Sequence, residues 1–385
     1  MTKHSRKTYG IKAVILFLFV FLSVQCQQKT IIEGKGDLYV LYQEDNSYRI
    51  VAAGVDGELI DTLFSKMPAN LLFRYHAAEE ETDVAFDFAL HREKPKWRLF
   101  AKNKRTGSKL PEKTLVVSDL HGRLDAFAAL LTGNGVTDDD YSWTFGTNRL
   151  VFIGDILDRG RDDNGIAWLL YKLQEEAKRV GGEVVFLQGN HEDLVLKNDL
   201  RYVHKEHLAF ADTMGIPYAD LYGDHTVLGS WIRNSPLIFV NGDFLFVHAG
   251  MSPVMVDQEY SVEEINQLVQ EYIGYPTKEK KELHPRNEVL FGRDGPLWYR
   301  GLVFDSEKYP PIDSDDLDKV LQYYDVKHIV VGHSEVKEIE ERYDRRVYAV
   351  NVKHAKNFKK NRTAGLMICV DTLYAVTYAG EQRFF

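Results

Sequence analysis

Cysteine is nearly absent from this chain of 385 residues: Cys26 and Cys369 are the only two. That leaves no room for a disulfide framework, and none at all if Cys26 is modified or removed. Cys369, inside Leu366-Met-Ile-Cys-Val370, reads as a small buried apolar residue. Positive charge is short as well. A net charge of -9 argues against a nucleic-acid-binding surface, although a local cationic site can still take phosphate. The zinc-peptidase pattern His-Glu-x-x-His is missing: His191 and Glu192 begin it, and Val195 stands where the second His belongs. No motif offers a Ser or Cys nucleophile, and there is no internal repeat or low-complexity tract. The apolar run over 13–22 is too short for a comfortable membrane span.

That run instead reads as the core of an export signal. Lys3, Arg6, Lys7 and Lys12 precede it, and Cys26 follows in Leu22-Ser-Val-Gln-Cys26. The pattern resembles a bacterial lipoprotein signal, with a plain cleaved signal as the alternative. It implies an exported protein, periplasmic or at the cell surface, whose membrane contact is a lipid anchor at Cys26.

The organisation expected downstream is a tether over 27–36, a small β-rich module over 37–102, a polar linker over 103–113 and one large domain over 114–385. In the module, short apolar runs are bounded by Gly, Asp, Asn and Pro. From 114 onward strand, motif and helix recur, which predicts an α/β fold. Long insertions near 200–235 and 255–325 are expected to cap the side where the motif loops lie.

Three motifs carry the chemistry: Ser118-Asp-Leu-His-Gly122, Gly154-Asp-Ile-Leu-Asp-Arg-Gly160 and Gly189-Asn-His-Glu192. Each sits at the end of an apolar, mostly β-branched run. Asp119, His121, Asp155 and Asn190 are hard oxygen and imidazole donors, and His248 and His333 each follow a later strand. Mixed N/O ligation suits Mn, Fe, Zn or Co. Six such residues can hold two divalent ions, with Asp155 bridging them and a hydroxide between them as nucleophile. His191 can serve as general acid, with Asp158 on its other nitrogen. Arg159 can clamp phosphoryl oxygens, and Gly122, Gly160 and Gly189 permit tight turns. Arg300, in the Trp298-Tyr-Arg-Gly301 cluster, is the favoured second clamp, ahead of Arg293; Arg123 is as readily a solvent-facing residue. Trp298 and Tyr299 read as core packing before substrate stacking. Singly, Asp155 and Asp158 fit ordinary turns, and Asn190 fits a helix cap.

Together the motifs resemble the calcineurin-like metallophosphoesterase superfamily: D-x-H, G-D-x-x-D, G-N-H-E, His248 before Ala-Gly, and Gly332-His333. The second and third blocks resemble the phosphoprotein phosphatase branch, and the chain looks similar to the bacterial Shewanella-type phosphatases, some of which prefer phosphotyrosine. The resemblance implies an α/β/β/α layering, a β-sandwich flanked by helices. It places Asp119, His121 and Asp155 on one ion, and Asp155, Asn190, His248 and His333 on the other. It departs from the superfamily at Gly332-His-Ser-Glu335, where a second His is common. The expected activity is hydrolysis of phosphate monoesters on small molecules or phosphoproteins. Alternatives are a diester or dinucleotide polyphosphate hydrolase, or a surface-tethered binding module with a degenerate metal centre.

Overall fold

The computed structural model describes residues 30–79, 83–91 and 111–385. The export signal, Cys26, the end of the expected β-rich module and most of the expected linker lie outside the described residues. Among the described residues, no helix is long and apolar enough to cross a membrane.

The N-terminal strands are β1 (Thr30–Lys35), β2 (Leu38–Tyr42), β3 (Tyr48–Ala53), β4 (Leu59–Phe64), β5 (Leu71–His76) and β6 (Ala85–Phe88). They form an antiparallel β2-β3-β4 sheet and a β1-β5-β6 sheet in which β1 and β5 run parallel. The stretch read as a tether over 27–36 therefore carries a strand. Its Ile31 and Ile32 pair in register with Leu72 and Phe73, which a polar-looking sequence did not advertise.

Then come β7 (Lys113–Val117), α1 (Leu124–Gly133), β8 (Arg149–Ile153), α2 (Asp163–Arg179), β9 (Glu183–Leu187) and α3 (Asn190–Leu196). All but the first residue of β7, β8 and β9 is buried or nearly so, as expected for parallel strands covered on both faces. Val116 pairs with Val151 and Val151 with Val185, so the three strands run in step and their motif loops emerge side by side. A second sheet holds β10 (Ile238–Asn241), β11 (Phe244–Val247), β12 (His328–Val331), β13 (Glu340–Arg342) and β14 (Val347–Ala349), in the order β10-β11-β12-β14-β13. Strands β15 (Ala364–Cys369), β16 (Leu373–Thr377) and β17 (Gln382–Phe384) complete the first sheet as β17-β16-β15-β7-β8-β9. One hydrophobic cluster runs through both sheets and their helices, the sandwich that the motif order implied.

The N-terminal sheets share that cluster through Leu38, Tyr39, Phe73 and Tyr75. The insertion near 200–235 seals this joint with its helices, while Tyr202 at its start reaches the motif loops, its carbonyl accepting the Arg159 N–H. Its helices α4 (Lys205–Met214) and α5 (Val227–Asn234) are amphipathic, and their apolar faces turn inward. Trp231 stacks on Phe186 at 4.7 Å, Tyr222 meets the edge of Tyr39 at 5.6 Å, and Thr226 bridges to Leu41.

Candidate functional site

The five motif loops gather at the carboxyl ends of β7, β8, β9, β11 and β12, where open α/β sheets place their ligands. Backbone hydrogen bonds tie the loops together. Asp119 and His121 donate to the carbonyls of Gly154 and Asp155, and Gly332 donates to that of His248. Gly160 and Gly189 matter here through close approach, not through turn geometry. A Cβ on Gly160 would lie 2.1 Å from the His121 carbonyl, and one on Gly189 would lie 2.2 Å from Asp155 Oδ1. Asn190 is the first residue of α3, and Gly189 is the cap.

Six motif residues hold left-handed backbone: Asp119, His121, Asp155, Asp158, Arg159 and His333, with φ between 45° and 72°. Each such residue costs about 1–3 kcal/mol unless its surroundings fix it. Here every one of the six N–H groups is bound. Glu192 takes that of Asp155, Asp163 that of Asp158, the Tyr202 carbonyl that of Arg159, and Asp119 Oδ2 that of His333.

The donor atoms fall into two groups that share Asp155. His121, Asp155 and His191 form one, and Asp155, His248 and His333 the other; within each, one donor atom per residue lies within 4.8 Å of the rest. Asn190 Oδ1 joins the second at 3.0 Å from His248 Nε2. The His121 and His248 Nδ1 atoms each sit 2.9 Å from a backbone carbonyl, of Leu157 and Ile153. A carbonyl only accepts, so Nδ1 carries a proton in both rings, and each ring is braced with Nε2 toward the centre, as metal-binding imidazoles usually are. His333 Nε2 is buried with no hydrogen-bond partner. Asp119 lies alongside, its oxygens bonded to the His333 N–H and to Asn351 Nδ2 at 2.9 and 2.8 Å. It falls outside both donor groups.

Electrostatics mark the same spot. Burial, reinforced by the nearby Asp155 charge, pushes the Asp119 carboxyl up to about 7. Burial would raise Asp155 too, but the His248 and His191 imidazoles hold it well below the usual range. Burial would lower His248, yet the Asp155 carboxylate lifts it to about 9. Burial drives His121 down to about 3. Buried acids and imidazoles crowded this closely suit bound cations, so the residues fit a pair of divalent ions.

Around this centre opens a cleft of about 730 Å³. His191 lines it, with Nδ1 2.6 Å from Asp158 Oδ2 and Nε2 3.2 Å from Arg159 Nη2. Burial works against protonation of His191, but Asp155 and Asp158 outweigh it and its pKa is raised. Arg300 also lines the cleft, anchored by Nη1 to the His333 carbonyl and Ser334 Oγ, both at 3.3 Å. Arg293 does not reach the cleft; its guanidinium donates to the Lys308 carbonyl and lies over Tyr309. Trp298 lines the cleft edge-on to His333, at 5.8 Å, whereas Tyr299 packs away from it. Arg123 is at the cleft wall and bonded to Asp125. Glu335 lies at the rim in an ion pair with Lys353, at 2.6 Å.

Several cleft residues carried no role in the sequence reading. Tyr202 lies 5.3 Å from the His191 ring, Phe304 and Tyr309 flank Arg300, and Lys353, His354 and Lys356 form one wall. Glu192 accepts the N–H groups of Asp155, Ile156, Leu157 and Gly189, so it shapes two motif loops at once. Its Asn-His-Glu context was visible in sequence; its job was not.

A family model described as calcineurin-like phosphoesterase matches residues 112–336. Shewanella-like protein phosphatase 2 of Arabidopsis thaliana is 28% identical over 268 residues, covering 58% of this chain and 66% of its own. Shewanella-like protein phosphatase 1 of Plasmodium berghei (strain Anka) is 28% identical over 238 residues, covering 60% and 64%. The match thus spans about two thirds of these relatives' length. The crystal structure of a cold-active protein-tyrosine phosphatase from a psychrophilic Shewanella species superposes with a TM-score of 0.73 at 26% identity, over 90% of this chain and 98% of that one.

Proposed function

The chain belongs to the calcineurin-like phosphoesterase family, and from that premise we propose that it is an exported metal-dependent phosphatase of phosphate monoesters that favours phosphotyrosyl side chains. In this reading Asp119, His121 and Asp155 hold one divalent ion, and Asp155, Asn190, His248 and His333 the other. When bound, such ions supply a water-derived nucleophile at neutral pH and stabilise charge on phosphoryl oxygens. His191, whose pKa Asp155 and Asp158 raise, gives its proton to the departing oxygen. Arg159 and Arg300, both lining the cleft, hold the phosphoryl group. In this reading the phosphoryl group passes directly to water with no covalent intermediate, and trapping of a phosphoenzyme during turnover would refute it. The rings of Tyr202, Trp298, Phe304 and Tyr309 around the cleft suit an aryl leaving group.

The observation that carries the reading is the sharing of one buried carboxylate, Asp155, between two donor groups. The test pairs metal analysis with hydrolysis of p-nitrophenyl phosphate. Asp155→Ala is expected to lose both ions and the activity; two ions per chain in that variant would refute the bridging role. Phosphotyrosyl, phosphoseryl and phosphothreonyl peptides compared side by side test the substrate preference.

A further inference from the structure

Four consecutive residues just after the second motif hold the N-terminal sheets. Arg161 Nη1 donates to Asp37 Oδ2 at 3.0 Å. Asp162 Oδ1 accepts from Tyr75 OH at 3.0 Å and from the Ala78 N–H at 2.6 Å. Asp163 Oδ1 lies 3.0 Å from His207 Nε2, an ion-pair contact off the ring axis. Asn164 Oδ1 accepts from the Leu38 N–H at 3.2 Å. His207 reaches back as well, with Nδ1 2.6 Å from Asp37 Oδ1. Asp37, Asp163, Asn164 and His207 are all fully buried.

The network does not stop at the joint. The other Asp163 oxygen, Oδ2, accepts the N–H of Asp158 at 3.3 Å, and Asp158 Oδ2 holds His191 Nδ1 at 2.6 Å. Asp37, His207, Asp163, Asp158 and His191 therefore form one buried file from the β1–β2 connection to the cleft. It holds two imidazoles and three carboxyl groups, and Arg161 braces its outer end at Asp37. Burial alone would strip the proton from His207, but Asp163 and Asp37 lift its pKa to about 10, so the ring stays charged. Desolvated charges of this kind hold position only while each keeps its partner.

We propose that Asp37 and His207 are positioning residues for catalysis: the N-terminal sheets fix Asp163, Asp163 fixes the left-handed turn at Asp158, and that turn aims His191 at the leaving oxygen. The inference rests on the phosphatase reading and on His191 as its acid. It gives the N-terminal β region a function that no motif within it suggests. A displacement of about 1 Å at a catalytic group can cost on the order of 100-fold in rate. A file of single contacts transmits such a displacement when one member changes.

The test uses the full chain with its metals, and the variants Asp37→Asn and His207→Gln. Asp37→Asn is isosteric and removes charge without opening a cavity, so it remains informative if His207→Gln fails to fold. The substrates are phenyl, p-nitrophenyl and 2,4-dinitrophenyl phosphate, whose leaving groups need a proton to decreasing degrees. A misaimed acid is expected to lower kcat by roughly 10–100-fold on phenyl phosphate, with little change on the dinitrophenyl ester and with KM and metal content nearly constant. An equal loss across the three esters, or no loss, would overturn the inference, since a merely structural role makes no distinction among leaving groups. His191→Ala is the reference and should show the steepest dependence. A flat dependence in that variant would instead overturn the acid assignment beneath it.

Discussion

At the scale of single residues, the cleft is held by hydrogen bonds to backbone that L-residues avoid. Glu192 is the main clamp: one buried carboxylate satisfies four N–H groups of two loops. Glu192→Ala is expected to lower stability by at least about 3 kcal/mol in urea unfolding, because buried donors left unpaired cost about 1–3 kcal/mol each. His191→Ala should retain both ions in metal analysis and lose about 100- to 10,000-fold in kcat on phenyl phosphate. Gly160→Ala should separate the first two motif loops, since its Cβ would meet the His121 carbonyl; reduced metal content at unchanged expression would report it. The motif side chains were legible in sequence because residue type and spacing limit what each can do. Asn351 was not. Its partner Asp119 lies 232 residues away, and nothing near Asn351 marks it as more than a polar residue after a strand.

At the scale of elements, the strands that carry the motifs announced themselves as apolar runs, and the structure places β7, β8, β9, β11 and β12 where those runs stand. Strand β4 gave no such signal. Its residues alternate between exposed and half-buried, so it lacks the buried face that makes a strand readable. The 200–235 stretch was legible as an insertion, but the destination of its helices was not, because an amphipathic pattern says that a face is covered and not by what. Helix α4 carries the element-level prediction. The His207 pKa of about 10 exceeds the ordinary unfolded value of about 6.5. A raised folded-state pKa favours folding fully below about pH 6.5 and loses that contribution as pH climbs through 10. Denaturant stability should therefore fall between pH 7 and 10 by on the order of a few kcal/mol, and His207→Gln should flatten the slope.

At the scale of the whole molecule, the N-terminal strands and the sheets that follow share one hydrophobic core. The hydrophobic cluster is continuous from β2 to β16, and Arg161 to Asn164 bind the N-terminal sheets with side chains that are mostly buried. Calorimetry should accordingly show one unfolding transition, with calorimetric and van't Hoff enthalpies equal; two separate transitions would restore the modular picture. The place of β7 also sets a schedule. It lies between β8 and β15, and Val116 waits for Leu366, roughly 250 residues later in the chain. At ~5–20 residues per second, synthesis takes about 10–50 s to deliver that partner. For that interval the strand bearing the first motif has one bare edge, and the metal-binding loops are made before the sheet that supports them can close. Cutting the chain just short of Ala364 should thus yield aggregation and not a smaller enzyme, because an unpaired central strand is an open template for its neighbours.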